Sequence, residues 1–157
     1  MPNNIKLIIA GAVQDHKYLL NLWKLRDNLN LKDRVYMVGH VDEETKEILY
    51  QISNVVVIPS LSDIVEAYSI VLTEALFYNK PVVVFPSGAL KYRIINGVNG
   101  YIAREKTPKA LATAILDAFK LGKTECKTYS KMRTLDILPR IYKLICRHVR
   151  RSVHIRY

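Results

Sequence analysis

The chain has 157 residues, half of them apolar, so it can bury a core without disulfides or a metal ion. Its two cysteines, Cys126 and Cys146, have neither metal-ligand spacing nor a CxxC pattern, which favours incidental thiols in an intracellular protein. No apolar run approaches the roughly 18 residues that cross a bilayer, and Met-Pro-Asn-Asn is not typical of a signal peptide. We therefore predict a cytoplasmic protein, with peripheral attachment to a membrane surface as the alternative.

The net charge of +10 is concentrated near the C-terminus. Residues 123–157 hold ten lysines and arginines against Glu125 and Asp136, so this segment has a net charge of +8 and residues 1–122 have +2. Apolar residues between the cations predict a basic helical tail. It would pack on the domain, on a partner chain or on a second copy of this chain, or lie on an anionic membrane surface; a solvated helix face is the simplest alternative. Nucleic-acid binding is disfavoured because the chain has no recognised reading module.

Short β-branched runs alternate with amphipathic stretches along the first half of the chain. We predict strands at 5–10 and 34–38, and helices at 16–30 and 42–51. The first helix places Leu19, Leu22, Trp23 and Leu29 on one face, which we interpret as core. Acidic residues follow Asp42 in the first turn of the second helix, where the helix dipole favours them.

The same alternation continues to residue 122. We predict strands at 55–58, 81–85 and 101–102, and helices at about 67–78, 89–95 and 108–120. Thr107-Pro108 is an N-cap followed by proline at the first helical position, and Gly122 ends that last helix. The order of elements predicts an α/β fold, a Rossmann-like parallel sheet with helices on both faces, formed by residues 1–122 and followed by the helical tail at 123–157.

Ligands of open parallel sheets bind in the loops that follow the strands. In this chain those loops are 11–13, 39–42, 59–66 and 86–90. None of them holds a GxGxxG fingerprint or a P-loop lysine motif, which argues against a dinucleotide-dependent dehydrogenase and a P-loop NTPase.

Glu66 and Glu74 are the site residues that the pattern singles out. On a helix, eight residues bring two side chains back to within about 80° of one another with a rise of about 12 Å, so both carboxylates can face one cleft. The amides of Ala67, Tyr68 and Ser69 are predicted to open the helix and to form an anion site. Carboxylates for sugar hydroxyls beside amides for phosphate suit a nucleotide sugar; two solvated helix acids are the simpler alternative.

This segment resembles the C-terminal, nucleotide-sugar-binding domain of glycosyltransferase family 4, which has the GT-B fold. The family pattern of Pro-Ser, a short loop and Glu-x7-Glu matches Pro59-Ser60, Glu66 and Glu74. The resemblance covers roughly residues 5–120. The other matching motifs follow in the family's order and spacing: Leu7 to Gly11, Asp33-Arg34-Val35, Gly39-His40-Val41, Leu49-Tyr50, Ala75-Leu76, Lys80 to Val83 and Asn96 to Gly100.

By this resemblance, Glu66 would hold the donor sugar and act in catalysis, and Glu74 would hold the ribose hydroxyls. The amides after Glu66 would contact the sugar and the diphosphate. The Gly39-to-Glu43 loop would frame the base, with Val41 and Glu43 as candidates. No metal and no cofactor are expected, because amides and cations stabilise the leaving diphosphate. The donor-binding residues implied are Gly39, Val41, Glu43, Glu66, Ala67, Tyr68, Ser69 and Glu74.

The sequence departs from the family pattern in three places. Ala67-Tyr68-Ser69 stands where the family has Gly-Phe-Gly, and Lys91-Tyr92 replaces Pro-Glu. The chain also begins at the domain's second strand, so we expect it to lack the preceding strand, whose Arg and Lys neutralise the diphosphate, and the acceptor domain. Lys91 and Arg93 are the candidates to replace that charge.

We therefore predict a retaining, hexosyltransferase-like enzyme whose donor-binding half is this chain, with a nucleoside-diphosphate sugar as donor. The alternative is a catalytically incomplete nucleotide-sugar-binding or regulatory subunit that needs a separate acceptor domain. The donor base, the sugar and the acceptor do not follow from the sequence.

Overall fold

The computed structural model describes residues 5–61 and 69–122. The chain divides into two compact units, an N-terminal unit, Met1–Leu49, and a C-terminal unit, Tyr50–Tyr157. The predicted basic tail at 123–157 lies outside the described residues.

The N-terminal unit contains a two-stranded parallel sheet. Strand β1 (Leu7–Ala10) pairs with β2 (Val35–Gly39), and helix α1 (His16–Asn28) connects them. Helix α2 (Glu43–Ile52) follows β2, and its last three residues belong to the C-terminal unit. Both helices begin at a carboxylate N-cap: Asp15 accepts the amide of Tyr18 at 3.0 Å, and Asp42 accepts the amide of Thr45 at 2.8 Å.

The described side chains of the N-terminal unit form no buried core. All four residues of β1 are exposed, and none of the residues of α1 is buried. Trp23 is 41% exposed and Leu29 is 57% exposed, so the prediction that these two residues are core is wrong. The physical reason is that a sheet of two strands covers little of the apolar face that its connecting helix presents.

The C-terminal unit contains a three-stranded parallel sheet with the order β3-β4-β5. Its strands are β3 (Val56–Ile58), β4 (Val82–Val84) and β5 (Gly100–Ile102). Its helices are α3 (Ile70–Phe77), α4 (Leu90–Arg93) and α5 (Pro108–Leu121). As predicted, Thr107 is the N-cap of α5 and accepts the amide of Ala110, with proline at the first helical position.

The central strand β4 is covered on both faces. Val82 and Val84 belong to a cluster with Leu72 and Leu76 of α3. Val83 belongs to a second cluster with Ala114 and Ala118 of α5. Successive strand residues point to opposite faces, so α3 and α5 lie on opposite sides of this sheet.

The predicted α/β fold class, with parallel strands and helices on both faces, is confirmed. The strands follow the predicted order, and their hydrogen bonds form two sheets, of two and of three strands. The largest shift of a predicted boundary is at α3, which begins at Ile70 instead of about Ala67.

Candidate functional site

The loops that follow β3 and β4 are joined by a buried serine. Ser87 has no exposed surface, and its hydroxyl donates to the carbonyl oxygen of Ser60 at 2.7 Å. This bond fixes the loop in which the sequence places Pro59-Ser60. Residues 62–68 lie outside the described residues, so the predictions for Glu66, Ala67 and Tyr68 stay predictions.

Ser69 is the N-cap of α3 and is itself extended, with ψ at 112°. Its hydroxyl accepts the amide of Leu72 at 3.4 Å, and its carbonyl oxygen accepts the amide of Thr73 at 3.3 Å. The amides that open the helix are therefore those of Ile70 and Val71, for which the described residues offer no acceptor. Ser69 therefore caps α3 and does not supply one of its opening amides, because a serine that bonds three residues ahead starts the helix after itself.

Glu74 is half-buried on α3 and is held by a tyrosine. The hydroxyl of Tyr50 donates to Oε2 of Glu74 at 3.0 Å. Tyr50 is itself only 8% exposed, and its ring stacks on Tyr78 with a centroid distance of 5.4 Å. The sequence matched Tyr50 to a family motif without a role; its position 24 residues before Glu74 gave no sign that the two side chains meet.

The remaining predicted donor-binding residues lie in the N-terminal unit. Gly39 has a positive φ of 70°, and its carbonyl oxygen accepts the amide of Gly11 at 2.8 Å. That bond ties the loop after β1 to the loop after β2. Val41 is half-buried, and Glu43 is exposed in the first turn of α2, 2.9 Å from the ammonium of Lys46. The structure thus groups Ser69 with Glu74 on α3, and Gly39 with Val41 and Glu43 after β2.

The electrostatics of the loop after β2 are set by the α2 N-cap. Hydrogen bonds from Thr45, first from its side chain and then from its amide, lower the pKa of the Asp42 carboxyl. Asp42 therefore stays ionised at the positive end of α2 at neutral pH.

A pocket of about 560 Å³ opens in the N-terminal unit. Its lining is mostly apolar and includes no lysine or arginine, so it lacks a cation to hold a diphosphate. Asp15 is its one charged residue, and Gly39 is its one predicted site residue. The lining residues are Ile9, Gly11, Ala12, Val13, Gln14, Asp15, Tyr18, Leu19, Leu22, Trp23, Met37, Val38 and Gly39.

The two cations predicted to replace the missing charge, Lys91 and Arg93, both lie on α4 but have different contacts. Arg93 is half-buried and bonds to α3: it donates to the Ser69 carbonyl oxygen at 3.3 Å and to Thr73 Oγ1 at 2.9 Å. Lys91 is exposed, and its ammonium lies 5.1 Å from the ring centroid of the adjacent Tyr92. Of the two, Arg93 is the cation at the start of α3.

Among residues 5–61 and 69–122, no group of three or more histidine, cysteine, aspartate or glutamate side chains is arranged to hold a metal ion. Within the same ranges no helix is long and apolar enough to cross a membrane.

Comparison with known proteins identifies the family. Residues 1–134 match the model of the family described as glycosyl transferases group 1. The chain is 35% identical over 113 residues to the uncharacterized glycosyltransferase MJ1607 of Methanocaldococcus jannaschii, a match that covers 72% of this chain. The chain spans about a quarter, 27%, of the length of that curated relative.

Solved structures give the fold. A glycosyltransferase from Rickettsia africae superposes with a TM-score of 0.71 at 20% identity, over 96% of this chain and 41% of that chain. Anabaena Alr3699/HepE, solved in complex with UDP, superposes with a TM-score of 0.67 at 22% identity, over 92% of this chain and 42% of that chain. HepE has also been solved with UDP-glucose. The chain therefore belongs to the glycosyl transferases group 1 family, and its fold is that of a GT-B glycosyltransferase domain.

Proposed function

We propose that this chain is the donor-binding half of a retaining glycosyltransferase of family 4, which transfers a hexose from a nucleoside-diphosphate sugar to an acceptor. The observation that carries the proposal is the half-buried Glu74 carboxylate, which the Tyr50 hydroxyl holds at 3.0 Å on the helix after the Pro59-Ser60 loop. Family membership supports the reaction class. The complexes of HepE with UDP and UDP-glucose support the donor class.

Glu74 would bind the ribose of the donor. A carboxylate has two oxygens with about four acceptor positions, so it can accept from a tyrosine and from the two hydroxyls of a ribose together. A carboxylate on a helix moves little, and Tyr50 restricts it further because its own ring is fixed against Tyr78. Such a preoriented acceptor distinguishes a ribose diol from a group that lacks hydroxyls.

Glu66 would hold hydroxyls of the sugar and assist the transfer. The amides of Ile70 and Val71 lie at the positive end of α3, where they would stabilise the charge that develops on the leaving diphosphate. No metal ion is needed in this scheme. Retention would follow if the acceptor attacks from the face that the diphosphate leaves, and it is measured as the anomeric configuration of the product by NMR.

Calorimetry on the full chain tests the proposal without requiring an acceptor. UDP-glucose, GDP-mannose and ADP-glucose are titrated together with UDP, GDP and ADP. We expect Glu74→Ala to abolish binding of both the sugar nucleotide and its diphosphate. Glu66→Ala is expected to weaken the intact sugar nucleotide more than the free diphosphate, because Glu66 would contact only the sugar.

Asp117→Ala is the matched control for Glu74→Ala. Both substitutions remove one negative charge from a helix, but Asp117 lies on α5, where its carboxylate pairs with Lys120 at 2.7 Å. Equal and negligible effects of Glu74→Ala and Glu66→Ala on binding would refute the site. A product assay with the chain alone, and then with candidate acceptor-domain chains, separates an enzyme from a regulatory subunit.

The basic segment at 124–157 is proposed to contact either an anionic membrane or a partner chain. Flotation with vesicles of anionic lipid, compared with vesicles of zwitterionic lipid, tests the membrane. If the full chain and a chain that ends at residue 123 float alike, the membrane proposal is wrong.

A further inference from the structure

Arg93 is placed by a hydrogen-bond network that begins in the core of the C-terminal unit. The carbonyl oxygen of Asn99 accepts the amide of Val82 on β4 at 3.0 Å. The Asn99 side chain is 2% exposed; its Nδ2 donates to the Arg93 carbonyl oxygen at 3.0 Å, and its Oδ1 accepts the amide of Ile95 at 2.7 Å. Because both ends of the Asn99 amide are used, the backbone at Arg93 is held in one position.

The guanidinium of Arg93 links this fixed backbone to the start of α3. It bridges two acceptors, the Ser69 carbonyl oxygen at 3.3 Å and Thr73 Oγ1 at 2.9 Å. Thr73 Oγ1 itself donates to the same Ser69 oxygen at 3.2 Å, and the Thr73 amide donates to it at 3.3 Å. Three donors therefore converge on one carbonyl oxygen.

The orientation of the Ser69 carbonyl also sets the direction of the Ile70 amide. The two belong to one planar trans peptide, so the N–H points opposite to the C=O. A bond that holds this peptide therefore fixes the direction of the first amide of the helix.

We infer that Arg93 is a positioning residue of the donor site, which orients the start of α3 toward the sugar and diphosphate of the bound donor. The inference rests on the proposed function, which puts the sugar and diphosphate at this end of α3 and the ribose at Glu74. A planar guanidinium suits the role because its fixed fork reaches two acceptors at once, whereas a lysine is a single point donor.

The test compares two probes on the full chain by calorimetry, UDP-glucose and UDP, or GDP-mannose and GDP if the chain binds that pair. We expect Arg93→Met to weaken the sugar nucleotide about five- to tenfold and the free diphosphate about two- to threefold, because a diphosphate that is not tied to a sugar can shift and keep part of its contact with the amides of α3. Arg93→Lys is expected to recover part of the loss, because it restores one donor. A purely structural role would weaken both probes alike, and that result would overturn the inference.

Lys91→Met is the matched control for charge, since it removes one cation from the same short helix α4, and none of the described contacts of Lys91 reaches α3. We expect a change of less than about twofold with either probe. An effect of Lys91→Met equal to that of Arg93→Met would mean that charge alone matters, and the positioning role would be wrong.

Thr73→Val is the second test variant, to be used if the Arg93→Met chain does not fold. It deletes one of the two acceptors while it keeps the shape of the side chain, and we expect it to weaken the sugar nucleotide about two- to fivefold and the diphosphate by a smaller factor. Unchanged affinity for both probes would contradict the inference. Failure of the unsubstituted chain to bind any nucleotide in the panel would contradict the proposed function instead, so the two failures are distinct.

Discussion

The N-terminal and C-terminal units share an alternation of parallel strands and helices, but they bury their side chains to different extents. Every buried apolar residue among those described lies from Tyr50 onward. In β1, the side chains of Leu7, Ile8 and Ile9 are 41–45% exposed, whereas the three valines of β4 have no exposed surface. Equally apolar strands thus have opposite environments.

The contrast extends to the helix caps. The described N-caps of the N-terminal unit are carboxylates, Asp15 and Asp42, and those of α3 and α5 in the C-terminal unit are hydroxyls, Ser69 and Thr107. The N-terminal unit therefore depends more on exposed, ionisable groups, and the C-terminal unit depends on burial. Sequence hydrophobicity shows which strands could be buried; the number of neighbouring elements decides which of them are.

The largest effect we expect is at the core of the C-terminal unit. Leu76 is 1% exposed, so Leu76→Ala should lower the free energy of unfolding by about 2–5 kcal/mol, through lost transfer energy and the cavity left behind. Ile9 is 41% exposed, and Ile9→Ala should cost less than about 1 kcal/mol. Urea unfolding measures both; similar costs would erase the difference between the units.

Two glycines, one in each unit, test the difference in packing between the units. A Cβ on Gly100 would lie 1.9 Å from the carbonyl oxygen of Val82, so Gly100→Ala should cost about 3 kcal/mol or more. Gly39 has a positive φ of 70° with nothing within 4 Å of a Cβ, and Gly39→Ala should cost about 1 kcal/mol of backbone strain. Thermal unfolding measures the two variants, and a larger loss at Gly39 would contradict the assignment of tight packing to β4 and β5.

A smaller effect is expected at Tyr50, the first buried residue in the described part of the chain. Tyr50→Phe removes the hydroxyl that donates to Glu74 and keeps the ring on Tyr78, so it should lower the free energy of unfolding by about 0.5–1.5 kcal/mol. We also expect nucleotide affinity to fall, because Glu74 loses its fixed donor. Calorimetry and urea unfolding on one preparation measure both. Unchanged nucleotide affinity would mean that Tyr50 does not orient Glu74.

The smallest effect that we expect is a local loss of stability at the start of α2 when the pH is lowered. The folded pKa of Asp42 lies below its ordinary value, so its stabilisation is complete above the unfolded pKa of about 3.9 and is lost as pH falls through the folded pKa. NMR should show that the start of α2 frays in acid, whereas the start of α5 does not respond directly because its cap, Thr107, is a hydroxyl. Asp42→Asn keeps a capping acceptor and should remove the pH dependence. If α2 in that variant still frays with pH as the unsubstituted chain does, the cap is not the cause.

Local features were predicted well because short-range physics determines them. Thr107-Pro108 identified the start of α5 to the residue, since capping needs only the next three amides. Gly100 shows the limit: an Asn-Gly pair is typical of a turn, yet Gly100 lies in β5, where the backbone of Val82 leaves no room for a side chain. The need for glycine was readable, and its reason was not, because the neighbour that imposes it lies 18 positions earlier.

By itself, the sequence determined the order and type of the elements, the α/β fold class and a resemblance to glycosyltransferases, which the match to the group 1 family supports. Only the tertiary structure decided that α3 starts at Ile70, that Tyr50 holds Glu74, that Arg93 rather than Lys91 reaches α3, and that Trp23 is not core. The reason is physical. Helix and strand signals arise between residues a few positions apart, whereas burial and long-range hydrogen bonds depend on which distant segments come together.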